Sequence, residues 1–443
     1  MTHDKENMVE MKNGTHSIEQ RVTRKFIWRI VPFLTVCYVF AILDRNNVGL
    51  AALQMNQDLG LSRSAFGWGS SLFFIAYFVF EIPSNILLQK FGARIWLARI
   101  MISWGLIATA MALVKGPVSY GIARFVLGAA EAGFFPGVLL YLTFWLPAAY
   151  RARVIALFMV AIPLSGFFGS QVSGWLLSLD GLQGLRGWHW LFVAEGLPVF
   201  VFGIVCLFLL TDRPEHASWL TSAEKAWLAS RLQAERDTAR PIAEVSAWQL
   251  LRNRQIWGLT LACAAALAAG SVLGVWQPQL IKSHGLTDIE TGMLNSIPYG
   301  IASVLMVIWG WRSDRTGERR WHTCAPLLLI AVGFGFAGWV GNLATILALL
   351  SCVLIGAYSF KAPFWALSLE LLTPRVAAVG LAGINAVGTL AGGLMINVYG
   401  ITLEKTGSTN LAMMPTAIMG LAGALVILTI ARSNGTRIAG TRA

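Results

Sequence analysis

The chain has 443 residues, of which 56% are hydrophobic and only 13% charged, and it carries a net charge of +12. No soluble globule could bury that apolar excess, and the apolar runs reach the roughly 20 residues that a membrane-spanning helix needs. The five cysteines, Cys37, Cys206, Cys263, Cys324 and Cys352, lie in or beside apolar runs with no close pair, which excludes a disulfide frame and a zinc knuckle.

Lipid offers the backbone no hydrogen bonds, so the apolar runs are read as helices and the chain as an all-α membrane protein. Residues 1–26 form a polar tail without the apolar core of a signal peptide, and the first span is expected to act as its own insertion signal. Twelve transmembrane helices are predicted, at 27–50, 66–89, 95–113, 118–146, 154–177, 190–210, 255–281, 289–311, 322–340, 345–372, 377–402 and 411–431. Of the 34 lysines and arginines, 25 fall in the tails and one alternate set of loops, five in the other set and four inside spans. Cationic loops stay inside, which makes both termini cytoplasmic and requires an even number of crossings. The positive charge is therefore topological and calls for no nucleic acid.

The organisation expected is a first six-helix bundle over 27–210, a cytoplasmic linker over 211–254, a second six-helix bundle over 255–431 and a cytoplasmic tail over 432–443. In the linker, Thr221 and Glu224 have the spacing of a capping box. Trp227, Leu228 and Leu232 give the helix that follows an apolar stripe, which suits a tether lying along the inner surface.

The bundles repeat one another at an offset of 225. Laid without a gap over 285–321, residues 60–96 are identical at 8 of 37 positions: Gly60/Gly285, Leu61/Leu286, Gly67/Gly292, Ser71/Ser296, Val79/Val304, Gly92/Gly317, Arg94/Arg319 and Trp96/Trp321. Two pseudo-symmetric membrane-embedded halves imply a cavity between them and alternating access to it.

Ionisable groups inside the spans are the sharpest chemical signal, because each is costly in hydrocarbon unless paired or hydrated. The first span carries Asp44-Arg45-Asn46-Asn47, whose successive side chains point about 100° apart, so Asp44 and Arg45 face different neighbours. In the fourth span Arg124 and Glu131 lie seven residues apart, on one face. A buried network of Asp44, Arg45, Arg124 and Glu131 is expected. The tenth span holds Lys361 with Trp365 one turn on, and no nearby acid suggests itself as the lysine's partner other than the substrate. Glu81 is divided between coupling and structure, and Glu195, before Gly196 and Pro198, is expected to be structural. Enzyme signatures fail: Gly333-Phe-Gly335-Phe-Ala-Gly338 sits inside an apolar helix without the strand that a dinucleotide fingerprint needs. Neither an ATP-binding loop nor a metal or catalytic motif is found, so a secondary transporter is favoured over a pump or an enzyme.

Four segments carry a family resemblance: Leu43-Asp44-Arg45-Asn46-Asn47-Val48, Glu81-Ile82-Pro83-Ser84-Asn85, the run from Ala123 to Gly137, and Pro363-Phe364-Trp365-Ala366-Leu367. The loop from Gly310 to Arg320 looks like a signature loop, with Gln89-Lys90-Phe91-Gly92-Ala93-Arg94 as its degenerate copy. Together these resemble the major facilitator superfamily, and within it the anion:cation symporters, notably the tartrate, phthalate and hydroxyphenylacetate permeases. The resemblance implies the major facilitator fold and a small organic carboxylate held by Arg45, with Tyr77, Trp365 and Asn385 lining the cavity and Lys361 suited to a second carboxylate. It implies proton coupling through Asp44 and Glu131, with Arg124 paired to them. It implies gating by Arg94, Asp314, Arg315 and Arg319, although Gln89 stands where the first copy should have an acid. The expected protein is a functional monomer in a bacterial inner membrane, in contact with lipid, without metal or cofactor, its coupling ion a proton. A facilitator or exchanger on the same fold is the alternative, and a membrane solute sensor the rival from another class.

Overall fold

A computed structural model describes residues 2–238, 252–372 and 374–439. The linker stretch 239–251 and the last four residues of the tail lie outside the described residues. In chain order the helices are α1 (Thr2–Asp58), α2 (Arg63–Phe91), α3 (Ala93–Ala110), α4 (Pro117–Glu131), α5 (Phe134–Trp145), α6 (Ala148–Leu177) and α7 (Gly187–Leu209). After these come α8 (Ser222–Thr238), α9 (Arg254–Lys282), α10 (Asp288–Thr316), α11 (Arg320–Ala337), α12 (Leu343–Ser359), α13 (Lys361–Leu371), α14 (Pro374–Thr406) and α15 (Thr409–Ala439). Among the described residues, 11 helices are long and apolar enough to cross a membrane. Each coincides with one of the expected spans, and the remaining expected span, 154–177, falls within α6.

Two expected spans are each built from two helices. The run 118–146 breaks after Glu131, where Ala132 is extended and Gly133 adopts φ 87° before α5 begins. A Cβ on Gly133 would stand 2.5 Å from Ser84 Oγ, so the break also lets α2 approach closely. The run 345–372 divides at Phe360 into α12 and α13, with Lys361 opening the second piece.

The internal repeat has a structural meaning. Helices α2 and α10 start and stop at the same offset of 225, and both begin with a hydroxyl cap, from Ser62 and Thr287. The paired glycines Gly60/Gly285 and Gly92/Gly317 all take positive φ in the flanking turns. Two further matched pairs, Gly67/Gly292 and Ser71/Ser296, lie at the seam between the helices before the linker and those after it. Gly67 lets α2 touch the backbone of α14 at Ile396, and Gly292 lets α10 touch that of α6 at Ser170. Ser71 Oγ donates to Gly393 O at 2.6 Å, and Ser296 Oγ lies 3.3 Å from Gln171 Nε2.

Every cross-half hydrogen bond among the described residues lies toward the end of α1 away from its N-terminus. These bonds join Gln54 to Asp288, Arg63 to Leu403, Ser64 to Glu404, Ser71 to Gly393, Gln171 to Ser296 and Asn295 to Ser170. The halves are thus sealed at that end, with no matching set of bonds among the described residues at the other.

The linker helix α8 docks on the N-terminal end of the first bundle. Glu224 Oε2 accepts from Thr221 N at 2.9 Å and Thr221 Oγ1 accepts from Glu224 N at 3.3 Å, so the capping box forms. Leu228 and Leu232 are buried, and Lys25 of α1 donates to both Glu224 oxygens at 2.8 Å. Burial acts to raise the Glu224 pKa, but hydrogen bonds from Lys25 and Thr221 prevail and hold it below its ordinary value.

Candidate functional site

Helices α1, α2 and α4 bring Asp44, Arg45, Tyr77, Arg124 and Glu131 together. Arg45 donates through Nε to Glu131 Oε1 at 2.8 Å and approaches the same oxygen through a terminal nitrogen at 2.6 Å. Its guanidinium carbon lies 4.7 Å from the Tyr77 ring centre. Glu131 is fully buried, yet 22% of the Arg45 side chain is accessible. A cation facing hydrocarbon would be costly, so this residual exposure calls for a polar or hydrated neighbour.

As helical geometry requires, Asp44 faces elsewhere. It is 2% exposed, and its Oδ2 accepts from Trp104 Nε1 at 3.0 Å. Both Arg124 and Arg45 lie within electrostatic reach of it. Arg124 is 1% exposed and sits 4.7 Å over the Phe73 ring, and none of its guanidinium nitrogens meets an acceptor among the described residues. The expected pairing is therefore corrected: Glu131 meets Arg45 rather than Arg124. Arg124 and Glu131 stand seven residues, about 10.5 Å, apart along the same helix, whereas Arg45 reaches Glu131 directly from α1. Arg45 is consequently not left unneutralised, because it already holds a carboxylate.

From the second half, Lys361 approaches the Tyr358 ring at 5.1 Å and has no carboxylate within ion-pair distance among the described residues. It lies within electrostatic reach of Arg45. Trp365, partly accessible, stacks edge-on against Phe364 at 4.9 Å. Asn385 is exposed on α14.

The two signature loops differ. In the second, Arg319 meets Asp314 at 2.6 Å and Ser313 Oγ at 2.9 Å, with Glu370 of α13 at 3.9 Å, while Arg315 lies 5.3 Å over Trp311. In the first, the acid that Gln89 lacks comes from far along the chain: Asp212 Oδ1 accepts from Arg94 N at 2.8 Å, a carboxylate at the N-terminus of α3. It fits because Gly92, at φ 89°, has no Cβ to meet Asp212. The Arg94 side chain itself is exposed.

Sequence reasoning missed Asp212, and also the aromatic lining given by Phe73, Trp104 and Tyr358, and it read Glu370 as an interfacial group at the inner end of its span. Aromatic residues are too common in apolar spans to stand out by type. It also read Glu195 as a boundary residue. In the structure Glu195 accepts from Asn47 Nδ2 at 2.8 Å and from Ser173 Oγ at 2.7 Å, deep among α1, α6 and α7.

A multi-pass bundle of membrane-length helices with charged groups at the junction of two repeats defines a membrane transporter. The chain belongs to the Major Facilitator Superfamily, whose family model matches residues 34–396. It is 46% identical, over 95% of its length and 93% of the relative's, to an Agrobacterium vitis protein named for tartrate transport. It is 38% identical, over 91% of its length and 92% of the relative's, to the metabolite transport protein NicT of Pseudomonas putida. Its fold is similar to the crystal structure of a bacterial homologue of the lysosomal transporter Spinster, with a TM-score of 0.73 at 17% identity, covering 91% of this chain and 96% of that one. The protein is thus an integral membrane transporter and not an enzyme.

Proposed function

We propose that the protein imports a small organic anion with two acid groups, tartrate being the first candidate, together with protons by alternating access. In this reading twelve helices span a bacterial inner membrane with both termini in the cytoplasm, and a monomer suffices. The supporting observation is the partly accessible Arg45–Glu131 ion pair, within reach of a lysine that has no acidic partner among the described residues.

Arg45 can satisfy one carboxylate in that position, either Glu131 or a substrate. A substrate anion that takes Arg45 strands Glu131 as a buried charge, which is expensive unless a proton neutralises it. Anion and proton therefore enter together. With the outer seam closed, both leave to the cytoplasm, and ionised Glu131 returns to Arg45. Asp44 and Arg124 share the electrostatics of this exchange, and Lys361 receives the second carboxylate between the walls supplied by Tyr77, Trp365 and Asn385. Arg94, Asp314, Arg315 and Arg319 gate the inner end, and no cofactor beyond the coupling proton takes part. Names among the relatives favour tartrate as the first substrate to try.

The test is uptake of labelled tartrate into proteoliposomes with and without an acid-outside pH difference. Uphill accumulation that needs the pH difference, and disappears in Arg45→Ala, is the expected result. Accumulation by Arg45→Ala equal to that of the parent would sink the proposal.

A further inference from the structure

Glu195 is a buried carboxyl group outside the Arg45 site, 4% exposed on α7. Its hydrogen-bond partners are neutral: Asn47 on α1 and Ser173 on α6. Helix α3, packed along α7, offers it Gly105, Ala108 and Thr109 where the two backbones touch at Gly196 and Phe200. Among the described residues no cation lies within ion-pair distance, and the titratable group that faces it electrostatically is another acid, Asp44.

The surroundings are also short of donors. Asp44 Oδ1, Asn47 Oδ1 and Asn295 Oδ1 are all buried, and none meets a donor among the described residues. Adding one proton to Glu195 would remove a charge that faces Asp44 and would supply a donor where acceptors are in excess.

A cavity in the seam lies beside the residues that hold this group. A cavity of about 10 Å³, the size of one water, is lined by Asn47 and Ser173, which hold Glu195, and by Ser170 and Asn295. The cross-half bond from Asn295 Nδ2 to Ser170 Oγ, 2.8 Å, ties two of its walls together. Parting the halves at that end breaks this bond and opens the cavity to the outer solution, on the opposite side from the cytoplasmic release of Glu131.

We propose that Glu195 is a second proton-carrying group, loaded from the outer solution through the seam cavity, whose neutral form spares Asp44 a facing negative charge. Asp44 and Asn47 lie three residues apart on one face of α1, so the two acids share the same wall. This inference rests on the proton-coupled reading above.

The experiment compares the parent with Glu195→Gln in tartrate-loaded proteoliposomes. The variant is expected to retain tartrate exchange while losing both pH-driven accumulation and the acceleration of uptake by outer acid. If Glu195→Gln fails to fold, Ser173→Ala keeps the acid but removes a donor to its charged form. Its uptake should then reach half-maximum at a more alkaline outer pH, a shift that a purely structural acid would not produce. A parent driven by the pH difference, with a Glu195→Gln variant of identical pH profile or a Ser173→Ala variant of unmoved midpoint, overturns this inference and leaves proton coupling intact. A parent indifferent to the pH difference overturns the coupling itself.

Discussion

Replacing Glu131 by Gln separates competition for Arg45 from the rest of the site. Gln is nearly isosteric and its amide oxygen can still accept from Arg45 Nε, which now donates to Glu131 Oε1 at 2.8 Å. What disappears is the charge. A hydrogen bond to a charged group contributes about 1.5–3 kcal/mol and a neutral one about 0.5–1.5, so Arg45 loses about 1–1.5 kcal/mol of internal partner. The partial exposure of Arg45, 22%, argues for the lower part of that range. A tartrate carboxylate then competes against a weaker occupant and should bind about fivefold more tightly, since 1.4 kcal/mol is one decade and about 1 kcal/mol is lost. Its affinity should also stop depending on pH across the neutral range, and exchange should survive while accumulation fails. Titration calorimetry of the purified parent and variant at several pH values reads both effects. Weaker binding by Glu131→Gln, or binding that follows pH as the parent's does, would refute the competition argument.

Three further outcomes can be measured. Lys361→Met should keep binding of monocarboxylates but lose the preference for tartrate, which competition binding would show. Gly292→Ala places a Cβ 2.5 Å from Ser170 O, so the seam closes only at an overpacking cost of about 1–3 kcal/mol; a cysteine at Ser296 should label faster from outside in that background. Glu224 has a depressed pKa in the folded protein, so its share of docking is present above the ordinary glutamate value and lost as pH falls through the lower, folded one. Proteolysis of the linker should accordingly rise in acid, and Lys25→Ala should show the higher rate already at neutral pH.

The repeat carried more structural information than any motif. Gly67, Gly292, Ser71 and Ser296 match in sequence because each stands where one half touches the other, and the positive-φ glycines match because both turns need them. Periodicity also brought Asp44, Arg45, Arg124 and Glu131 to one region, since each lies in a long helix. It could not tell which acid meets which arginine. That depends on how α1 packs against α4, which brings Arg45 to Glu131 while Arg124 stays seven residues away on the same helix. Asp212 was illegible for another reason: it reaches Arg94 across 118 positions of chain, a contact that no local pattern encodes.

The charge count of the cluster explains why a proton should accompany the anion. With both acids ionised, the two carboxylates Asp44 and Glu131 balance the two guanidinium groups Arg45 and Arg124, and Arg124, lacking any acceptor among the described residues, depends on that balance rather than on a bond of its own. A carboxylate arriving alone on Arg45 would leave the cluster with one net negative charge in a low-dielectric setting, at a cost of several kcal/mol. A proton arriving alone would leave it one positive charge in excess. Anion and proton together preserve neutrality through the displacement, so the energetically permitted path is the coupled one. Lys361 extends the same reasoning to the second half: it adds a positive charge that the described residues do not pair, and a second carboxylate on the same small molecule is what would balance it. On this argument the preference for two acid groups and the requirement for a proton share one origin, the avoidance of net charge between the halves.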